Sequence, residues 1–241
     1  MNIAVIPARG GSKRIPKKNI KLFGGLPILA YSIKAAQSCG LFEKVIVSTD
    51  QEEIASVAAQ FGAETPFLRP PELSDDFTGT NAVTKHAIQW LNQRGVSITH
   101  ACCIYATAPF IQARFLRQGF ELLHRSERSF AFSVTSYAAP IQRALRRRPD
   151  GTVEPFQPEY IMTRSQDLEE AYHDAGQFYW GTAGAFLEDV PLFSPASIGV
   201  VVPRYLVKDI DTIEDWRQAE LMHAALTHFS EMWEQESGEE Q

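Results

Sequence analysis

The chain is poor in cysteine, has no long hydrophobic run and carries no surplus of basic residues, and each shortage removes a class of protein. Its three cysteines, Cys39, Cys102 and Cys103, lack the paired spacing of metal-ligating thiols. Two are adjacent in an apolar run, where cysteine behaves as a small hydrophobe, so neither a disulfide framework nor a zinc site is expected. No apolar stretch approaches the ~20 residues needed to cross a bilayer. The N-terminus passes from Ile3-Ala4-Val5-Ile6 to Arg9 within a few residues, unlike an export signal. A soluble cytoplasmic protein without a membrane partner is expected. A formal net charge of -6 argues against nucleic acid as the ligand.

What is present is an ordinary globular composition, 44% hydrophobic and 22% charged over 241 residues, enough for one full α/β domain with an insertion. The negative balance hides a local inversion. Arg9, Lys13, Arg14, Lys17, Lys18 and Lys21 fall within thirteen residues, and no aromatics interleave with them as a single-strand stacking platform requires, which points to a compact phosphate ligand.

Along the chain, residues 2–7 read as a buried strand, followed by a Gly-rich basic loop until Pro27, which the sequence places at the start of a helix. Val45-Ile46-Val47-Ser48 reads as a second strand, and Asp50 with Glu53 matches a capping box for a helix with Ile54, Val57, Ala58 and Phe61 inward. A proline-rich loop, 66–80, leads to a helix bearing Val83, Ala87, Trp90 and Leu91. A strand at 101–105, a helix burying Leu116, Phe120 and Leu123, and a strand at 130–134 follow. This alternation predicts a mostly parallel sheet covered by helices on both faces. The rhythm breaks from about 137 to 172, which reads as an insertion with short strands of its own. It resumes at Gln177–Trp180 and ends in a helix, 212–226. One domain, 1–228, is expected, with 229–241 a flexible acidic tail.

The stretch Pro7-Ala8-Arg9-Gly10-Gly11-Ser12-Lys13-Arg14-Ile15-Pro16-Lys17-Lys18-Asn19 places glycines and cations directly after the first buried strand, where ligands of open α/β sheets gather. Two glycines let successive amides approach one anion, and the cations neutralise charge that amides alone cannot. A triphosphate suits such a site. The pattern is neither a Walker loop nor a dinucleotide fingerprint. Near the other end, Asp209 and Asp211 are separated by one residue at the close of a strand-like segment. Two uses fit them: both can share a hard cation such as magnesium, or Asp211 can cap the helix opening at Thr212 while Asp209 pairs with Lys208 or another surface cation.

These residues resemble the cytidylyltransferases that activate sialic acids and related nonulosonic acids. The resemblance runs from the Pro7–Asn19 loop through Leu68–Asp76, Ala106–Phe110 and Ser165–Leu168 to Asp209-Ile210-Asp211-Thr212, about residues 2–226. It implies a Rossmann-like nucleotidyltransferase fold with a small dimerisation insertion, CTP and an acidic sugar as substrates, Mg2+ at Asp209 and Asp211, and a homodimer. By the same resemblance Arg9 and Lys18 are the catalytic cations. Ala8, Gly10, Gly11, Ser12, Asn19, Arg69, Thr78 and Thr80 hold the nucleotide. Gln142, Arg164, Gln166, Tyr172, Asp174, Gln177 and Tyr179 hold the sugar, with Arg143 and His173 nearby.

Within that family the sugar side departs from the sialate pattern. Ser165 stands where arginine is common, and Asp174-Ala175-Gly176-Gln177-Phe178-Tyr179 replaces Pro-Asn-Gly-Ala-Ile-Tyr. Tyr105 and Ala106 differ from the sialate Gln-Pro. These departures are similar to the branch acting on pseudaminic acid. N-acetylneuraminic and legionaminic acid are the alternative acceptors, and a nucleotide-binding regulator without turnover is the alternative of another class. The sequence singles out no general base.

Overall fold

The computed structural model describes the backbone of residues 1–238 and the side chains of 1–228. β1 (Asn2–Pro7) leads through the basic loop to a two-stranded ribbon, β2 (Leu22–Phe23) and β3 (Leu26–Pro27), then α1 (Leu29–Cys39), β4 (Lys44–Ser48), α2 (Glu52–Gln60) and α3 (Thr80–Asn92). β5 (His100–Ile104), α4 (Ala113–Ser126) and β6 (Phe130–Ser136) precede a hairpin of β7 (Leu145–Arg147) and β8 (Val153–Pro155). β9 (Tyr172–Thr182), α5 (Ala183–Leu187), β10 (Ser197–Val201) and α6 (Ile213–Gly238) complete the order.

Six strands form one sheet in the order β10-β6-β9-β5-β1-β4. β1 pairs in parallel with β4 and β5, and β6 with β10, while β9 runs antiparallel between β5 and β6. Central strands covered on both faces must be apolar throughout, and Ile3-Ala4-Val5-Ile6 and Ala101-Cys102-Cys103-Ile104 are fully buried. One face packs a large core that includes Ile33, Leu116, Trp180 and Trp216; the other packs Ile88, Leu91, Phe130 and Phe186. The cysteines are free and buried within these layers, and burial pushes the Cys103 thiol up to about 12, so it packs as a hydrophobe.

Several local expectations give way to longer-range contacts. Pro27 lies in the β2–β3 ribbon and α1 begins at Leu29. Asp50 and Glu53 form no capping box: α2 is preceded by Gln51, Asp50 accepts a bond from the Gly10 amide, and Glu53 pairs with Lys17. The α6 backbone stays helical to Gly238, past the expected end at 226. Of the expected tail, the side chains of 229–238 and all of 239–241 lie outside the described residues.

Two histidines bear on stability. His86 meets the edge of Phe67, and its pKa is lowered first by burial and then by Arg69. His100 lies against Phe120 and His124 and is lowered by burial, by His124 and by the N-terminal charge. As pH falls the unfolded chain therefore takes up protons first. This contribution is complete above about pH 6.5, the unfolded value, and is lost as pH falls through the folded values. The urea midpoint is expected to be lower at pH 5.5 than at pH 7.5, and the difference should shrink in the double variant His86→Leu/His100→Phe. An undiminished difference in that variant would place the acid sensitivity elsewhere.

Candidate active site

The basic loop leaves the C-terminal end of β1 and is folded by contacts that its own composition does not advertise. Ala8 is fully buried and its amide continues the sheet ladder to Ser48. The Gly10 amide donates to Asp50 Oδ1 at 2.8 Å. A Cβ on Gly10 would stand 2.2 Å from Gln51 Cγ, so the glycine lets the loop lie close against the residue that precedes α2. Asn19 is buried and closes the loop by donating to the Arg9 carbonyl at 2.8 Å. Ile15, also buried, pins the middle.

This packing turns Arg9, Lys13, Arg14 and Lys18 toward one cavity of about 500 Å³. Gly11, Ser12, Asn19, Arg69, Thr78 and Thr80 also line it. Ala8 and Gly10 do not; with their amides held by Ser48 and Asp50, they shape the loop and have no N–H to offer a ligand. Val83, Tyr105, Ala106 and Thr107 complete the wall.

The cations are arranged around carboxylates. Arg9 and Lys13 share Asp76, at 2.5 and 2.6 Å, and these two partners, Lys13 foremost, hold the Asp76 carboxyl down at about 2. Arg14 pairs with Asp211 at 2.9 Å, and Lys18 donates to the Ile210 carbonyl at 2.6 Å with Asp211 at 3.6 Å. Arg69 is buried, with one guanidinium nitrogen on the Ser48 carbonyl and another on Leu73. Burial lowers its pKa, the Asp50 charge opposes that shift, and Arg9 adds to it.

A second cavity of about 480 Å³ adjoins the first, sharing Tyr105 as a wall. His173, Asp174, Ala175, Gly176 and Tyr179 line one side of it and Val207, Lys208 and Asp209 the other. Asp174 accepts from the Tyr179 hydroxyl at 2.7 Å and from the Gly176 amide at 2.8 Å. Gly176 holds φ at +62°, a left-handed turn that favours glycine.

Asp209 opens into this second cavity and Asp211 into the first. Neither caps α6. Thr212 and Asp215 cap it reciprocally, the Thr212 hydroxyl accepting from the Asp215 amide at 3.2 Å and the Asp215 carboxylate from the Thr212 amide at 2.9 Å. Lys208 pairs with Asp215 at 2.7 Å, not with Asp209. The helix cap and the Lys208 ion pair are thus made by Thr212 and Asp215, while Asp211 is held by Arg14 and Lys18. The Asp209 carboxyl is raised by partial loss of water and then by the Asp211 charge, with Lys18 opposing; a cation between the two would relieve that repulsion. No group of three or more His, Cys, Asp or Glu gathers as a metal cluster among the described residues. Magnesium does not require one, since it commonly takes one or two carboxylates together with substrate phosphates.

The predicted sugar residues divide. Asp174 and Tyr179 reach the second cavity, and Tyr172 lines a separate apolar groove with Phe132, Leu192 and Phe193. Gln142, Arg164 and Gln166 do not reach it: Gln142 donates to the Glu169 carbonyl, Arg164 pairs with Asp167, and Gln166 lines a hollow at the base of the insertion. Arg143 is spent on Ser165 and the Thr163 carbonyl. Gln142, Arg143 and Arg164 thus find partners inside the insertion itself. Gln177 is buried and turned away from the cavity lining, donating to the Leu206 carbonyl. Sequence reasoning missed Lys208 as a cavity residue and Tyr105 as the shared wall. The signal for Lys208 was its place directly before the aspartate pair, in a region otherwise short of cations for an acidic ligand.

A cationic cavity and an adjoining cavity lined by hydrogen-bonding groups, meeting at two carboxylates on one edge of a mostly parallel sheet, suit the chemistry of a nucleotidyltransferase. Residues 3–180 match the family described as cytidylyltransferase. The chain is 45% identical over 222 residues to a pseudaminic acid cytidylyltransferase of Campylobacter jejuni subsp. jejuni, covering 92% of this chain and 96% of that one. It is 31% identical to a CMP-N,N'-diacetyllegionaminic acid synthase of Legionella pneumophila subsp. pneumophila, covering 90% and 94%. The chain belongs to the cytidylyltransferase family. Its fold is that of a CMP:2-keto-3-deoxy-manno-octonic acid synthetase solved with CTP, with a TM-score of 0.68 at 15% identity over 93% of this chain and 98% of that one.

Proposed function

We propose that the chain is a pseudaminic acid cytidylyltransferase, transferring CMP from CTP to the anomeric hydroxyl of pseudaminic acid and releasing pyrophosphate. The observation that carries this reading is the pair of adjoining cavities, one cationic and one carrying hydrogen-bonding groups, that meet at Asp209 and Asp211. The similarity to the Campylobacter enzyme selects the acceptor.

In this reading the triphosphate lies against Arg9, Lys13, Arg14 and Lys18, displacing Asp76 from Arg9 and Lys13. Arg69, held rigid by two carbonyls, and Asn19, Thr78 and Thr80 contact the base and ribose. The acceptor lies between Asp174–Tyr179 and Lys208–Asp209, and its anomeric oxygen approaches the α-phosphorus in line as pyrophosphate departs. Little covalent chemistry falls to the protein. Its contribution is orientation and the cancelling of charge that builds on the phosphate oxygens. Asp209 and Asp211 would hold Mg2+, which when bound supplies charge neutralisation to the phosphates.

The acceptor is an acid, and Lys208 is the sole Lys or Arg lining its cavity among the described residues. We assign Lys208 to the acceptor carboxylate, with Asp215 orienting its ammonium group. A charge-assisted bond is worth about 1.5–3 kcal/mol, so Lys208→Met is expected to raise the acceptor KM by roughly 10- to 100-fold. The CTP KM should be nearly unchanged. The methyl ester of the acceptor should discriminate poorly between wild type and variant, and an equal loss with acid and ester would contradict the assignment.

A homodimer formed through the insertion suits its exposed apolar residues, Leu145, Val153, Phe156, Ile161 and Met162. A cytoplasmic location suits an enzyme fed with CTP, and no described helix is long and apolar enough to cross a membrane. The direct test is pyrophosphate release from CTP and magnesium with pseudaminic, N-acetylneuraminic and legionaminic acids in parallel. Release that is fastest with pseudaminic acid supports the reading. Preference for another acid would reassign the acceptor, and no release with any would favour a binding protein.

A further inference from the structure

We infer that Gln177 is a positioning residue that fixes the width of the acceptor cavity, and thereby the choice of acceptor, by tying its two walls together. The inference rests on the reading of that cavity as the acceptor site.

The starting point is an irregularity in β9. Phe132 pairs with Tyr179 and Val134 with Asp174, so residues 175–178 stand opposite Ser133 alone. Such a bulge re-aims the chain next to a site. Its backbone is pinned from behind by the buried Ser133 hydroxyl, which accepts from the amides of Gln177 and Phe178, both at 3.2 Å. Tyr105, the wall shared by both cavities, donates its amide to the Gln177 carbonyl at 2.9 Å. Ala175 and Gly176, the outer part of the bulge, line the cavity.

The opposite wall is Val207, Lys208 and Asp209. This segment follows a short 3-10 turn, Arg204–Leu206, and has no strand partner. It is held near its two ends by side chains. Lys18 holds the Ile210 carbonyl at 2.6 Å, and Gln177 holds the Leu206 carbonyl at 2.5 Å. Gln177 is 3% exposed, and its Oε1 atom has no partner among the described residues. The Nε2–Leu206 bond is the polar contact this side chain makes among the described residues, and it joins the β9 bulge to the segment that forms the opposite wall.

Because the bond spans from one wall to the other, its loss should loosen the Leu206 end of the 206–209 segment. Lys208–Asp215 and Lys18–Ile210 still hold its middle and far end, and the cationic loop keeps its contacts to Asp50, Asp76, Ile210 and Asp211. The variant Gln177→Met keeps nearly the same volume and removes the side-chain amide, and with it the donor to the Leu206 carbonyl. It is expected to raise the KM for pseudaminic acid about tenfold, the scale of one buried hydrogen bond, and to leave the CTP KM within about twofold. The preference for pseudaminic over N-acetylneuraminic acid should fall by a similar factor. Hydrogen exchange at the amides of 207–209 should quicken in the variant while exchange in the 9–19 loop does not. An unchanged acceptor KM, or parallel rises in both KM values with a lowered Tm, would overturn the inference. Should the wild-type protein turn over no nonulosonic acid, the acceptor reading fails, and unchanged exchange at 207–209 in Gln177→Met would separately refute the tie. Gln177→Ala, read by the same exchange measurement, covers the case in which the methionine variant does not fold.

Discussion

The double variant Arg9→Ala/Lys18→Ala is expected to lose turnover by about four orders of magnitude while remaining folded. Both side chains reach the cavity that would receive the triphosphate, Arg9 from the turn after β1 and Lys18 from the 3-10 turn behind it. Removal of one preorganised group that stabilises transition-state charge costs about 10²–10³ in kcat. Two acting on separate phosphate oxygens approach the product of those factors, less whatever coupling exists between them. Neither side chain is part of a hydrophobic core, so Tm should fall only slightly. The single variants separate the roles. Arg9 is held by Asp76 and the Asp75 carbonyl, both on a surface loop. Lys18 also secures Ile210, so Lys18→Ala should additionally disturb the aspartate segment. A double variant that turned over at the wild-type rate would refute the electrostatic account of the loop.

The second large effect concerns Asp209 and Asp211. Asp209→Asn and Asp211→Asn are each expected to reduce kcat by about 10²–10³, on the scale of losing a group that stabilises transition-state charge, and to raise the magnesium concentration needed for half-maximal rate. Stability should be nearly unaffected, because Thr212 and Asp215 provide the cap of α6 and Lys208 pairs with Asp215. Asp211→Asn also frees Arg14 from its 2.9 Å partner, so that variant should bind CTP as well as the wild type or better at low salt. A marked drop in Tm with unchanged magnesium dependence would assign the aspartates a structural role.

The parts of the fold legible in the sequence are those set by burial. The strands at 2–7, 44–48, 100–104 and 130–136 are continuous apolar runs because helices cover both faces of the sheet. β10 was not read: it is an edge strand with exposed Val201 and a glycine at its centre, and edge strands carry weak apolar signals. Asp50 and Glu53 had the spacing of a capping box, yet their side chains serve the basic loop forty and thirty-six residues away, which no local pattern reports.

The site shows the same division. The cationic loop and the aspartate pair stood out because phosphate and metal chemistry call for particular residue types in close sequence, whereas Arg69 and Thr80, named by resemblance alone, are seen to line the same cavity only in the fold. Of the residues named for the sugar side, Asp174 and Tyr179 line the second cavity. Gln142, Arg164 and Gln166 are polar enough to suggest a sugar site, but Gln142 and Arg164 pair within the insertion and Gln166 lines a hollow at its base. Gln177 looked like a ligand contact because a polar residue in a strand near a site invites that reading. Its direction was set by the β9 bulge, which depends on register across two neighbouring strands.

The most direct test of the account follows the oxygen. Pseudaminic acid carrying 18O at its anomeric hydroxyl, incubated with the protein, CTP and magnesium, should yield a CMP-sugar whose 31P resonance is shifted by one 18O in the bridge between sugar and phosphorus, with pyrophosphate unlabelled. Label in the pyrophosphate, or a CMP product without the bridging isotope, would contradict attack of the sugar oxygen on the α-phosphorus.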